Sequence, residues 1–78
     1  MARNNNPRFS RQDTLESVST YVEIARGWAG EGKTAWATAY YSVARARLEM
    51  FMERHPDDKR YMQKRLTRII EEQAQMYK

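Results

Sequence analysis

The chain has 78 residues, contains no cysteine and carries a formal net charge of +4 from 14 basic and 10 acidic residues. This length fits a single domain, and the missing cysteine excludes disulfides and cysteine-based zinc sites. No segment approaches the roughly 20 consecutive apolar residues of a membrane span, and no signal peptide is recognisable, so the cytoplasm is the expected location. The charge permits nucleic acid or an acidic protein surface as a partner but demands neither.

The first nine residues are predicted to form a flexible basic arm. Three asparagines and a proline give this segment poor helix propensity, and it has no apolar face to bury. The arm carries Arg3 and Arg8. Residues 10–78 are predicted to be a single helical domain whose first helix is capped by Ser10.

Helix 1 is predicted from about Arg11 to about Ala29. Its apolar residues recur at spacings of three and four, which is typical of an amphipathic helix. Glycine just past a helix end allows a left-handed residue there, so the Gly30-Glu31-Gly32 segment is predicted to end the helix.

Helix 2 is predicted to begin with Thr34 as its N-cap and to run to about His55, because the residue before Pro56 avoids the α region. Between Ala35 and Ala44, eight of ten residues are apolar. Two neighbouring helices cannot cover such a helix all round. An open apolar patch is therefore predicted, centred on the residues Trp36, Ala39, Tyr40 and Val43. Three alternatives remain for these residues: a place in the core, contact with a second copy, or contact with a different protein.

Helix 3 is predicted to begin at Asp57 or Asp58, since an acidic residue suits both the cap and the helix dipole, and to continue close to Lys78. Its predicted inner side comprises Met62, Leu66, Ile69, Ile70, Gln73, Ala74, Met76 and Tyr77. No segment has the period of a strand. The sequence therefore predicts an all-α fold, a three-helix bundle with a long central helix 2 and short loops.

Three basic residues of helix 3, Arg60, Lys64 and Arg68, repeat every four residues and are here called the basic stripe. Helical geometry places this stripe opposite Leu66, on the solvent side. Lys59 and Arg65 flank it. Together with Arg3, Arg8 and Arg11 these residues could contact phosphates or an acidic surface. The alternative is a solvated face with pairs within the helix, such as Arg68–Glu72.

The segment from Gly27 to Thr34 fits the phosphate-binding pattern G-x-x-x-x-G-K-[ST]. In a true site of this type the glycine amides would cradle phosphates, Lys33 would reach the terminal oxygens and Thr34 would hold magnesium. That site requires a preceding strand in a parallel sheet, and 78 residues with this helical periodicity provide none. The glycines are better explained as a helix terminus.

No catalytic, metal-ligating or cofactor-binding set of residues is predicted. The expected function is that of a small non-catalytic protein-interaction module, a regulator, adaptor or inhibitor of the type common among phage and mobile-element products, with a homodimer as one form. The alternative is a nucleic-acid-binding regulator that uses the basic stripe and the arm.

Overall fold

The computed structural model describes residues 11–78, so the predicted arm with Arg3 and Arg8, and the predicted cap Ser10, lie outside the described residues. Three α-helices follow one another: α1 spans Arg11–Gly30, α2 spans Thr34–Arg54 and α3 spans Lys59–Met76. A short 3₁₀ helix over Pro56–Asp58 precedes α3. No strand occurs between residues 11 and 78, and the all-α, three-helix prediction is confirmed.

The helices form two layers. α1 and α2 pack along their lengths as an antiparallel hairpin, and α3 packs on α2 from one side of that hairpin. The described chain extends 45 × 26 × 14 Å, so the bundle is elongated and thin. One side of the hairpin consequently carries α3, and the other carries no helix from residues 11–78.

The core follows the spacings of three and four in the sequence. α2 is central because it contacts both other helices. The largest fully buried side chains among residues 11–78 are Leu48 of α2 and Met62 of α3. The buried apolar residues form one cluster: Val18, Val22, Ala25, Ala37, Tyr41, Ala44, Leu48, Phe51, Met52, Met62, Leu66 and Ile69.

The turn between α1 and α2 ends the first helix by backbone hydrogen bonds. The Lys33 amide donates to the Trp28 carbonyl at 2.9 Å, and the Gly32 amide donates to the Ala29 carbonyl at 3.0 Å. This pair of bonds is the Schellman motif, which needs a left-handed residue, and Gly32 supplies it with φ at +77°. Gly30 is instead the last residue of α1.

Two predicted details of the helix ends and faces are wrong, and a third is right only in part. Thr34 is the first residue of α2 rather than its N-cap, which is Lys33 and has no side-chain capping bond. Asp58 holds the predicted N-cap position of α3, but the expected capping bond is absent because its side chain bonds Arg11. On α3, Ile70 and Tyr77 are exposed, as is Ala74, because the helix touches the hairpin with only a narrow apolar strip.

Candidate functional site

The side of the hairpin that faces away from α3 carries a group of apolar side chains, here called the open face. It comprises two residues of α1 and five of α2: Ile24, Trp28, Trp36, Ala39, Tyr40, Val43 and Met50. Trp36 and Met50 are 56% and 55% exposed, and Ile24 and Val43 are 38% and 37% exposed. Ala39 is also exposed, whereas Trp28 and Tyr40 are half-buried. Large apolar side chains are therefore left in solvent as a group rather than singly.

Helical geometry separates the open face from α3. α3 contacts α2 through side chains that include Tyr41, which bonds Glu72, and Arg45, which bonds Gln73. At 100° per residue, Tyr41 and Arg45 lie about 140–180° around α2 from Trp36 and Val43. The open face and α3 thus occupy opposite sides of the molecule.

Aromatic pairs fix the open face in place. The Trp28 and Trp36 rings stack with centroids 5.5 Å apart, and the Tyr21 and Tyr40 rings stack at 6.3 Å. The Arg47 guanidinium lies 5.2 Å from the centroid of the Tyr21 ring. Each of these contacts joins α1 to α2, so the exposed rings are held by a partner and need little ordering on binding.

The open face contains the four predicted patch residues Trp36, Ala39, Tyr40 and Val43, and the structure brings them together. Sequence reasoning missed the contribution of α1, namely Ile24 and Trp28, and also left Met50 out of the patch. Ile24 and Trp28 form a second apolar line that widens the apolar stripe of helix 1 beyond what one neighbouring helix covers. The width of this stripe is the sequence signal that could have placed both residues in the open face.

The basic stripe lies on the solvent side of α3, as the spacing predicted. Arg60, Lys64 and Arg68 are all exposed, and so is the flanking Lys59. Within residues 11–78 the ion pairs are Arg11–Asp58 and Arg26–Glu72, so none of these four cations is neutralised there. The stripe therefore presents several positive charges to solvent, with the exposed Glu71 beside its Arg68 end.

Arg11 and Arg65 do not join the basic stripe but flank one tyrosine at the edge between α1 and α3. Their guanidinium carbons lie 5.1 and 5.7 Å from the centroid of the Tyr61 ring. Arg11 also pairs with Asp58 at 3.3 Å, and Arg65 donates to the Tyr61 hydroxyl at 3.2 Å. Arg11 is thus partly neutralised by Asp58 and lies apart from the basic stripe.

The predicted Arg68–Glu72 pair does not form because Glu72 has partners on two other helices. Arg26 of α1 donates to both of its carboxylate oxygens, at 2.7 and 2.8 Å, and the Tyr41 hydroxyl of α2 donates at 2.7 Å. The hydrogen bond from Arg26 is the main cause of a lowered pKa at Glu72, against the opposing effect of burial. Burial and the bond to Glu72 raise the pKa of Tyr41 to about 12. This cluster ties all three helices together.

The segment that fits the phosphate-binding pattern forms no phosphate-binding loop. Gly27 and Gly30 lie within α1, and the amides of Glu31, Gly32 and Lys33 donate to carbonyls of the last helical turn. These amides are occupied and cannot cradle an anion. Gly30 and Gly32 lie at the end of α1, as the alternative explanation predicted, and Gly32 supplies the left-handed residue there.

Residues 11–78 hold no group of three His, Asp or Glu side chains that could ligate a metal ion. None of the helices in that range combines the length and apolar character needed to cross a membrane. Comparisons with protein-family models, curated proteins and solved structures find no match to this chain. Its function must therefore be argued from the two surfaces.

Proposed function

We propose that the protein is a small non-catalytic interaction module, a regulator, adaptor or inhibitor, that acts in the cytoplasm by binding protein through its open face. The observation that carries this proposal is the stacked Trp28–Trp36 pair, with Trp36 more than half exposed. Tryptophan is the residue type most enriched where binding energy concentrates, and here its orientation is already fixed.

The geometry also defines the chemistry of the partner. The open face lies along α2, and its Trp36-to-Met50 portion is about 21 Å long at 1.5 Å per residue. The exposed Arg47 lies beside its Met50 end. An amphipathic helix laid along this strip would contact it over about four turns. The matching partner surface is therefore the apolar stripe of another helix, with few charges at its centre.

The test compares variants of the two opposite surfaces in co-purification from the source cells after nuclease treatment. Ala39→Arg places a charged side chain at an exposed position of the open face, where it should not disturb the core. We expect this variant to lose the partner and to keep wild-type helicity by circular dichroism. Lys64→Glu, on the other side of the molecule, is the matched control and should retain the partner. Equal retention by both variants would contradict the proposal.

A second function, nucleic-acid binding through α3, is favoured by one observation: the basic stripe is exposed and unpaired within residues 11–78. Its three cations lie about 6 Å apart along the helix axis, which allows each to approach a separate phosphate. Because Glu72 bonds Arg26 and Tyr41 instead of Arg68, the charge of Arg68 is available for contact with a phosphate.

Salt dependence tests the second function. If the stripe contacts phosphates, Lys64→Glu combined with Arg68→Glu should weaken binding to duplex DNA or RNA and flatten the slope of log affinity against log salt by about two. Ala39→Arg serves as the control and should leave the slope unchanged. Absence of wild-type binding at low salt would remove this function.

A further inference from the structure

We infer that the partner of the open face is an acidic amphipathic helix of another protein, whose carboxylates lie at one end of its apolar stripe and bind Arg47 and Arg54. This inference rests on the proposed function and names the chemistry of the partner that the same surface binds. A cavity of about 310 Å³ lies at the Met50 end of the open face, between the start of α1 and the end of α2, and both arginines line it.

The cavity continues the open face along α2. Tyr40, Arg47 and Arg54 follow one another at spacings of seven residues. Residues seven apart differ by only about 20° around a helix, so the two arginines lie on the same side of α2 as Tyr40. Met50 lies between them in the sequence and is exposed beside the cavity. One helix laid along the open face therefore reaches both arginines.

The cavity combines an apolar floor with a charged rim. Thr14 and Phe51 are buried and form part of the floor. The rim carries two exposed cations, Arg47 and Arg54, against one carboxylate, that of Asp13. The excess of positive charge beside apolar atoms favours an occupant that brings both a carboxylate and an apolar side chain.

Arg47 is held in place without losing its charge. Its guanidinium carbon lies 5.2 Å from the centroid of the Tyr21 ring, and one of its nitrogens donates to the Tyr21 hydroxyl at 3.4 Å. The ion pairs among residues 11–78 include neither Arg47 nor Arg54. A guanidinium has five N–H donors, and the neutral tyrosine takes up one of them, so the others are available to a carboxylate.

The stability of the single chain accounts for the charge of Arg54 but not for that of Arg47. Arg54 lies in the last turn of α2, where the helix dipole favours a cation. Arg47 lies seven residues earlier, beyond the reach of that effect. The positions three and four residues to either side of Arg47 are all apolar, so no carboxylate of α2 pairs with it. A carboxylate from a partner supplies the missing charge.

The partner that fits this surface has carboxylates at one end only. Arg47 and Arg54 are about 10 Å apart along α2, so two carboxylates about two turns apart on the partner helix can each bind one arginine. An apolar side chain between those carboxylates can enter the cavity. At the other end of the open face, the turn carries Glu31 and Lys33, whose opposite charges favour neither sign.

The deciding experiment selects helical peptides from a display library on the purified protein. Every peptide carries the same apolar stripe, at spacings of three and four, with randomised residues beside it. We expect the wild type to enrich aspartate and glutamate at one end of the stripe only. Arg47→Glu combined with Arg54→Glu should enrich lysine and arginine at that end instead. Lys64→Glu combined with Arg68→Glu changes the net charge equally on α3 and, as the matched control, should select like the wild type.

Fluorescence anisotropy of a selected peptide then measures the contribution of its carboxylates. Replacing the two enriched acidic residues by their amides should weaken binding to the wild type about tenfold, as expected for two exposed ion pairs. The same replacement should leave binding to the Arg47→Gln, Arg54→Gln double variant unchanged. Both arginines are exposed, so the variants should keep wild-type helicity by circular dichroism.

Other outcomes separate this inference from the proposed function. Selected peptides that bind the wild type without any acidic enrichment, and fail to bind Ala39→Arg, overturn the acidic partner and leave the proposed function standing. Acidic peptides that bind Ala39→Arg as well as the wild type place the contact away from the open face and contradict both. If no peptide is enriched, the acidic helix is ruled out. Binding to phosphatidylserine vesicles that Arg47→Glu with Arg54→Glu abolishes would then assign the surface to a membrane instead.

Discussion

Single residues decide how the hairpin turns, and the three glycines do not contribute equally. A Cβ atom at Gly27 or Gly32 would meet no neighbour within 4 Å, so crowding does not distinguish them. Backbone conformation does, because Gly32 has a positive φ and Gly27 lies within α1. The need for glycine is therefore confined to the Schellman position.

Substitution by alanine at these two glycines should shift stability in opposite directions. We expect Gly32→Ala to lower the free energy of unfolding by about 1 kcal/mol, because alanine is strained in the left-handed region. Gly27→Ala should raise it by about 0.5–1 kcal/mol, since it favours the helix over the unfolded chain. Urea denaturation measures both values. A loss of stability in Gly27→Ala would show that Gly27 is not helical.

The carboxylate of Glu72 should make stability depend on acid pH. Its pKa in the folded chain lies below the ordinary value of 4.5, chiefly through the bond from Arg26. The stabilisation is thus fully present above pH 4.5 and is lost as the pH falls through the lowered pKa. Because Arg26 is exposed, we expect a loss of only about 1 kcal/mol.

The contribution of Glu72 to the pH dependence of stability can be isolated with two variants, in each of which an uncharged glutamine replaces one carboxylate. Glu72→Gln should be less stable than the wild type at pH 7 and should converge with it in acid. Glu71→Gln changes the exposed neighbouring carboxylate and should follow the wild-type curve. Urea titrations between pH 2 and 7 measure both. Parallel curves for Glu72→Gln and the wild type would contradict the assigned role of this cluster.

At the scale of elements, the spacing of apolar residues predicted the three helices. The residues that one helix face buries recur with the period of the helix itself. The residues Ala37, Tyr41, Ala44 and Leu48 recur every three or four positions and all are buried. The open side of α2 could also be predicted, since its apolar surface exceeds what two neighbours cover. In both cases the deciding information lies within one segment of the chain.

The details that sequence missed depend on contacts between distant segments. Glu72 looks like a partner for Arg68 one turn away, but Arg26, 46 residues earlier, binds it instead. Asp58 is the N-cap residue of α3, as predicted, but its carboxylate bonds Arg11 instead of a backbone amide of the helix. The contribution of Trp28 to the open face likewise depends on its stacking against Trp36 of α2. Such pairings follow from the packing of helices, which local periodicity does not encode.

Because α2 meets both neighbours, its centre should dominate the stability of the bundle. Leu48 is fully buried, and we expect Leu48→Ala to lower the free energy of unfolding by about 2–5 kcal/mol through lost burial and the cavity left behind. Val43→Ala removes a similar apolar group from the open face and should cost far less in the monomer. Urea denaturation at low protein concentration compares the two. Equal losses would mean that Val43 is buried by the chain's own helices.

At the scale of the whole molecule, the thin bundle leaves two sides with different chemistry. The basic stripe faces outward from α3, and the open face lies on the reverse of the hairpin. A dimer through the open face would therefore keep both basic stripes exposed, on opposite outer surfaces. Protein and nucleic-acid binding would not compete for the same residues, so each can be removed by substitution without the other.

Self-association through the open face, one form of the module expected from the sequence, would make thermal stability depend on concentration. When the folded state is a dimer and the unfolded state is monomeric, each tenfold rise in concentration stabilises the dimer by about 1.4 kcal/mol. With about 2.1 cal/mol/K of unfolding entropy per residue and two chains per dimer, Tm should rise by about 4 °C for each tenfold step.

Calorimetry or circular dichroism over a hundredfold concentration range measures this shift in Tm. Ala39→Arg should show a lower Tm than the wild type at high concentration and no dependence on concentration, because its unfolding no longer separates two chains. Lys64→Glu, on the opposite side, should keep the wild-type slope. A wild-type Tm that is the same at every concentration, with Trp36 quenched freely by iodide, would mean that the open face stays uncovered until a different protein binds it.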